Sequence, residues 1–171
     1  MEEQICSRLP AVRARALPAH VTRPALPFRA GKDQNEASVF QLPVRVYYED
    51  TDSGGVVYHA NHVRFFERAR TEWLRSIGFE QDELLRDRRL VFAVHSMNIR
   101  YLKPIRFNAM LTVTNRVAGM RRTSIEFDQR ILCDRLETTY CLATVRVVCV
   151  DADTFSPCPL PEDMTAEFDH A

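Results

Sequence analysis

The sequence predicts an α+β domain in which an antiparallel sheet wraps around one long helix. Three observations carry that prediction. One sustained run of helical periodicity follows residue 60, and strand-like runs joined by short turns follow residue 88. Nothing after Tyr101 supplies the helices that a parallel sheet needs between successive strands. At 171 residues, one domain with a real core is expected, with chain left over.

Residues 1–40 show no sustained periodicity, and prolines recur at positions 10, 18, 24 and 27. They read as a flexible extension, followed by the domain at 41–165 and a short tail at 166–171. The first residues lack the continuous apolar segment of a secretory signal, and acidic residues at 2 and 3 argue against a transit peptide.

The chain is organised around Val44 to Phe79. Val44, Val46 and Tyr48 alternate with Arg45 and Tyr47, the period of a strand. Ser53-Gly54-Gly55 breaks the run. From about Asn61 the period changes, and Val63, Phe66, Ala69, Trp73, Leu74 and Ile77 fall on one helical face. Asn61 is the expected N-cap and Gly78 the expected stop. Asp52 is thereby placed on a turn just before a helix N-terminus, where backbone N–H groups are free and the dipole is positive.

A short polar helix is expected over Glu80 to Arg88, with Leu84 and Leu85 inward. Strands follow at Val91–Tyr101, Met110–Val117, Thr123–Leu132 and Thr139–Val150, the second closed by a turn at Ala118-Gly119. In the third, Ile125, Phe127, Gln129 and Ile131 share a face. The fourth is apolar on both faces: Cys141, Ala143, Val145, Val147 and Cys149 on one, Tyr140, Leu142, Val148 and Val150 on the other. One long helix covers a single face, so the other is expected to meet a second subunit. A helical turn is expected near Glu162.

Composition excludes several classes. Formal charge is balanced, with 23 basic and 23 acidic residues, so nothing points to nucleic acid. No apolar run approaches the ~20 residues of a membrane span. Five cysteines without a CxxC pair read as free thiols of a reducing cytoplasm, with no zinc site.

The stretch YYEDTDSGGVVYHANHVRFFERARTEWL, with VRVYYEDTD overlapping its start and MRRTSIEFDQRIL and VRVVCVD after it, resembles the signature of hot-dog acyl-CoA thioesterases of the hydroxybenzoyl-CoA thioesterase family. Within that family it is most similar to the members encoded with the bacterial Tol–Pal envelope system. The likeness covers about residues 43–165, and Ser53 stands where alanine is more usual. It implies a hot-dog fold and a thiolester hydrolase acting on acyl-CoA or acyl-carrier-protein thioesters without metal or cofactor. It also implies a cytoplasmic homo-oligomer, a dimer or a tetramer, with active sites where protomers meet.

The resemblance makes Asp52 the catalytic carboxylate. The chemistry agrees: the departing thiol has a pKa of about 8.5, so its thiolate leaves with little acid assistance. Asp52 either attacks the carbonyl or activates a water. The local reading of the same residue is an Asx-turn before glycines. His59 is placed by the likeness in a catalytic role, and its local reading is a structural residue at the helix entry. Amides around His59 and Ala60 are the expected oxyanion donors. Tyr48 is expected to shape the pocket and hydrogen-bond Asp52. Glu49 and Asp50 read as strand-end and turn residues, His62 as solvated or interfacial, and His95 as a core or interface histidine.

Coenzyme A carries phosphates. Arg121, Arg122 and Ser124 open one strand, and Arg100, Lys103 and Arg106 bracket the end of another. Two rival functions remain open at this level: a hot-dog enoyl-thioester hydratase using Asp52 with His59, and a non-catalytic acyl-thioester-binding or scaffold protein.

Overall fold

A computed structural model describes residues 39–133 and 135–169. The proposed extension at 1–40 therefore lies almost wholly outside the described residues, as does Cys6. In chain order the elements are β1 (Phe40–Arg45), a single 3-10 turn (Tyr48–Asp50), α1 (His59–Ser76), α2 (Gln81–Arg88), β2 (Leu90–Tyr101), β3 (Met110–Arg121), β4 (Ser124–Cys133), β5 (Thr139–Asp151) and α3 (Glu162–Asp169). The strands form one antiparallel sheet in the order β1-β3-β4-β5-β2. The sheet curls around α1, which is the hot-dog arrangement the sequence predicts.

The core lies between α1 and the inner sheet face. Phe65, Phe66, Ala69, Trp73 and Leu74 of the helix pack on Leu111 and Val113, on Ile125, Phe127 and Ile131, and on Cys141, Ala143, Val145 and Val147. Trp73 meets Phe127 edge to face, with ring centroids 5.1 Å apart. The alternation expected in β4 and β5 is what buries these residues. Gly78 ends α1 as expected: it adopts φ +88, its N–H donates to the Arg75 carbonyl, and Phe79 N–H reaches back to the Leu74 carbonyl.

Several expectations shift. α1 begins three residues earlier than expected, with Tyr58 in place of Asn61 as N-cap. Asn61 is a buried residue of the first turn, and its side-chain amide donates to the Glu49 carbonyl at 3.4 Å. The buried stripe accordingly runs through Asn61, His62, Phe65 and Phe66, while Val63 is half-buried. Leu85 is 40% exposed, because a helix as short as α2 has one inward position and Leu84 takes it. β3 does not end at Val117. A bulge leaves Ala118 unpaired between Val117 and Gly119, and the strand continues to Arg121.

The C-terminal segment also differs. α3 runs across residue 165, so the expected domain boundary falls inside a helix. Leu160 and Met164 join the core, and Pro157 bridges to Val150 of β5. The tail thereby extends the core, while Tyr140, Leu142 and Val148 on the other face of β5 stay half-buried. Cys133, Cys141, Cys149 and Cys158 are free thiols, and burial pushes Cys141 up to about 11. Among the described residues no helix is long and apolar enough to cross a membrane.

Candidate active site

The site is built where the chain passes from β1 into α1. Strand character stops at Arg45, so Tyr48 sits on the 3-10 turn and not in a strand. That turn is closed from within by Asp50. Its carboxylate accepts the Tyr47 N–H at 2.8 Å, and its carbonyl accepts the Tyr58 N–H at 2.8 Å. Asp50 is only 4% exposed, a structural carboxylate as expected of a turn residue.

Asp52 lies one step further on, in a small reversal. Its N–H donates to the Val56 carbonyl at 2.9 Å, Gly55 N–H donates back to the Asp52 carbonyl at 3.0 Å, and Gly55 turns the chain at φ +70. One carboxylate oxygen, Oδ1, accepts the Gly54 N–H at 2.8 Å, which is the Asx-turn of the local reading. The Asp52 side chain is exposed, and among the described residues Oδ2 has no hydrogen-bond partner. The turn thus orients the carboxylate and leaves Oδ2 unengaged.

The reversal is stitched to the segment after β2. Val57 N–H donates to the Ile105 carbonyl at 2.8 Å, Val56 bridges to Arg106, and Val46 and Asn108 exchange with Ala109 and Val46 through backbone bonds. Asn108 takes φ +64, a left-handed turn that asparagine tolerates. The Asp52 turn is consequently held on both sides.

α1 then starts at His59. Asn61 N–H donates to the Tyr58 carbonyl at 2.8 Å, whereas the His59 and Ala60 N–H groups have no backbone acceptor among the described residues. These are the two amides expected as oxyanion donors. The His59 ring is exposed beside Tyr58, with centroids 4.3 Å apart, and the Tyr101 hydroxyl donates to the His59 carbonyl at 3.2 Å.

His62 corrects an expectation. It is 4% exposed, not solvated, and Tyr101 meets it edge-on at 5.1 Å. Its Nδ1 lies 3.3 Å from the Tyr58 carbonyl, an acceptor, so Nδ1 carries the proton. Burial holds its pKa below the ordinary histidine value, against the raising effect of that carbonyl.

Tyr48 stands apart from its expected contact. It is 77% exposed and stacks on Phe107 with centroids 4.0 Å apart, and among the described residues no hydrogen bond joins it to Asp52. Phe107 and Tyr101 are the residues of this site that sequence reasoning missed. Both act through contacts across the fold, for which neither carries a local signal. His95 is also corrected as a core residue: it is exposed, the extra residue of a bulge between Val94 and Ser96 on the edge strand β2.

Arg121, Arg122 and Ser124 are not brought to Asp52 within the protomer. Arg45, at the site end of β1, pairs with Met110, so the β3–β4 turn lies a whole strand away, about 36 Å for 12 residues. Arg121 and Arg122 are exposed, while Ser124 is buried. The cation placed next to the turn is Arg106, bridged to Val56. A shallow apolar pocket between Trp73, Leu74, Phe92 and Phe127 opens on the other half of α1.

A curled sheet around one helix, with a carboxylate turn at that helix's start, defines the hot-dog class. The family described as the thioesterase-like superfamily matches residues 46–168, and the chain belongs to it. It is 47% identical over 131 residues to the acyl-CoA thioester hydrolase YbgC of Escherichia coli O6:H1, a match covering 77% of this chain and 96% of that protein. It is 44% identical over 131 residues to the acyl-CoA thioesterase YbgC of Haemophilus influenzae, covering 77% and 95%. Among solved structures it is similar to a probable thioesterase from Bartonella henselae, with TM-score 0.69 and 32% identity over 72% of this chain and 100% of that one.

Proposed function

We propose that this protein hydrolyses acyl-CoA thioesters to a free acid and a thiol, with Asp52 as the reacting carboxylate. The observation that carries the reading is the pairing of a carboxylate held by one oxygen with two unengaged amides at the start of the next helix. Bound with its carbonyl oxygen against the His59 and Ala60 N–H groups, a thioester gains negative charge where donors already point. One such donor is worth about 3 kcal/mol of barrier. Asp52 Oδ2 then attacks the carbonyl carbon to form a mixed anhydride, or takes a proton from an attacking water. Either route expels the coenzyme A thiolate, and on the first a water then cleaves the anhydride, releasing the acid and restoring Asp52. The exposed His59 ring is positioned to polarise the carbonyl or the water.

The site is completed by a second copy. Tyr47, Tyr48, Tyr58, Tyr101, Leu102 and Phe107 are exposed on the two segments joined beside the Asp52 turn, a largely aromatic set that suits an interface and an acyl arm. β2 is an edge strand. Arg121 and Arg122, exposed but distant from Asp52 within a protomer, reach a coenzyme A phosphate only from a partner, whereas Ser124 is buried and unsuited to that contact. A cytoplasmic homodimer or tetramer fits this reading, as does an acyl-carrier-protein substrate and work near envelope lipids.

The test is thiol release from short-, medium- and long-chain acyl-CoA and acyl-carrier-protein thioesters, with wild type beside Asp52→Asn and molar mass measured for both. Turnover lost in the variant at unchanged assembly is the expected result. Tight acyl-CoA binding with no turnover by wild type, or activity that survives the substitution, overturns the assignment.

A further inference from the structure

Two thiols on the far side of the molecule from the catalytic turn face one another. Cys149 of β5 and Cys158 of the C-terminal segment have their sulfurs 3.6 Å apart. Their backbones are paired: Cys158 N–H donates to the Cys149 carbonyl at 3.0 Å, and Asp151 N–H donates to the Ser156 carbonyl at 3.0 Å, framing the Val150–Pro157 bridge. A cross-strand pair in this register holds its α-carbons at about 5.5 Å, within the range a disulfide spans. The sulfurs need only close by rotation about their own side-chain bonds.

We infer that Cys149 and Cys158 are an oxidation site, a thiol pair that closes to an intramolecular disulfide on exposure to a peroxide. Cys158 is half-buried and reachable, while Cys149 is buried beside it. Burial first, then the neighbouring Cys158 sulfur, push the Cys149 thiol up to about 12, so the first attack falls to Cys158. The Cys158 thiolate attacks one peroxide oxygen, the O–O bond breaks, and hydroxide leaves a sulfenic acid on Cys158. The Cys149 sulfur then attacks the Cys158 sulfur, the S–O bond breaks, and the departing hydroxide takes the Cys149 proton as water. Two thiols and one peroxide become one disulfide and two waters.

The product is a clasp. Beyond Cys158 the chain buries Leu160 and Met164 in the core, and Arg88 and Asp163 pair across α2 and α3 at 2.7 Å. A bond from Cys158 to β5 fixes that segment to the sheet covalently.

The experiment is peptide mapping of the full-length folded protein before and after hydrogen peroxide, with alkylation under denaturing conditions. No lysine or arginine follows Arg146, so trypsin leaves both cysteines in one C-terminal peptide, 147–171. The expected product is that peptide, lighter by two hydrogens, closed to alkylation at both sulfurs and reopened by reductant, with Cys141 still alkylated. The melting temperature should rise on oxidation of wild type and not of Cys158→Ser. Recovery of Cys158 as a sulfinic acid with Cys149 still alkylated, disulfides to other cysteines in preference to this pair, or a fall in melting temperature on closure overturns the inference.

Discussion

The Asp52 Oδ1 atom accepts a hydrogen bond from Gly54 N–H at 2.8 Å, and a Cβ built on Gly54 would lie 3.0 Å from that same oxygen. The glycine therefore serves the carboxylate by what it lacks. Its φ is not in the left-handed region, so an alanine fits the backbone and crowds only Asp52. Gly54→Ala should keep its melting temperature within a degree or two and lose about tenfold or more in kcat, because a small misplacement of a reacting group is costly. Parallel thermal melts and thiol-release kinetics check this. Full activity would mean that the Oδ1 anchor does not orient the catalyst.

Asp50 and Asp52, two residues apart, should separate cleanly by mutation. Asp52→Asn keeps an acceptor for Gly54 N–H, so stability should hold while turnover falls by about 10²–10⁴-fold. Asp50→Ala removes the buried acceptor of the Tyr47 N–H and should cost about 1 kcal/mol. Urea melts of the two variants distinguish them, and a stable Asp50→Ala would remove the structural role assigned to it.

Asn115 is fully buried on the inner face of β3, beside Gln129 of β4, and among the described residues neither its side-chain oxygen nor its nitrogen has a partner. Gln129, by contrast, donates to the Phe66 carbonyl at 2.9 Å and accepts from Arg70 at 2.7 Å. Asn115→Leu removes unsatisfied polar atoms at similar volume and should stabilise by about 1–3 kcal/mol. A lower urea midpoint in the variant would indicate that Asn115 is engaged in the assembled protein.

His62 gives the fold a dependence on pH. Its folded pKa is held below the unfolded value by burial, so the unfolded chain binds the proton more readily. This contribution is intact above the unfolded pKa of about 6.5 and is lost as pH falls through it towards the folded value. Urea midpoints at pH 7.5 and 5.5 should differ less for His62→Asn than for wild type. Equal slopes in the two proteins would place the acid sensitivity elsewhere.

The sheet was legible because β4 and β5 alternate so regularly that Phe127 and Val145 could each be grouped with the residues sharing their face from spacing alone. The turn that holds Asp52 just before α1 was legible too, because a carboxylate, a glycine break and a helical stripe follow one another in a short span. The first turn of α1 was not. Asn61 and His62 look like surface residues, and they are buried only because the Glu49 and Tyr58 carbonyls receive them. Tyr48 and Phe107 are far apart in sequence, so their stack leaves no trace in periodicity. Arg121 and Arg122 read as neighbours of a phosphate from composition, and the register of β1 on β3 separates them from Asp52.

The turn that carries Asp52 is sewn to the segment after β2 by main-chain atoms: Val57 to Ile105, Val46 to Ala109, Asn108 to Val46. Main-chain stitches tolerate exchange of the exposed side chains that project from them. Arg106, Phe107 and Tyr48 can therefore be replaced over generations without moving the carboxylate. Such a scaffold uncouples where the carboxylate sits from which side chains clothe its rim.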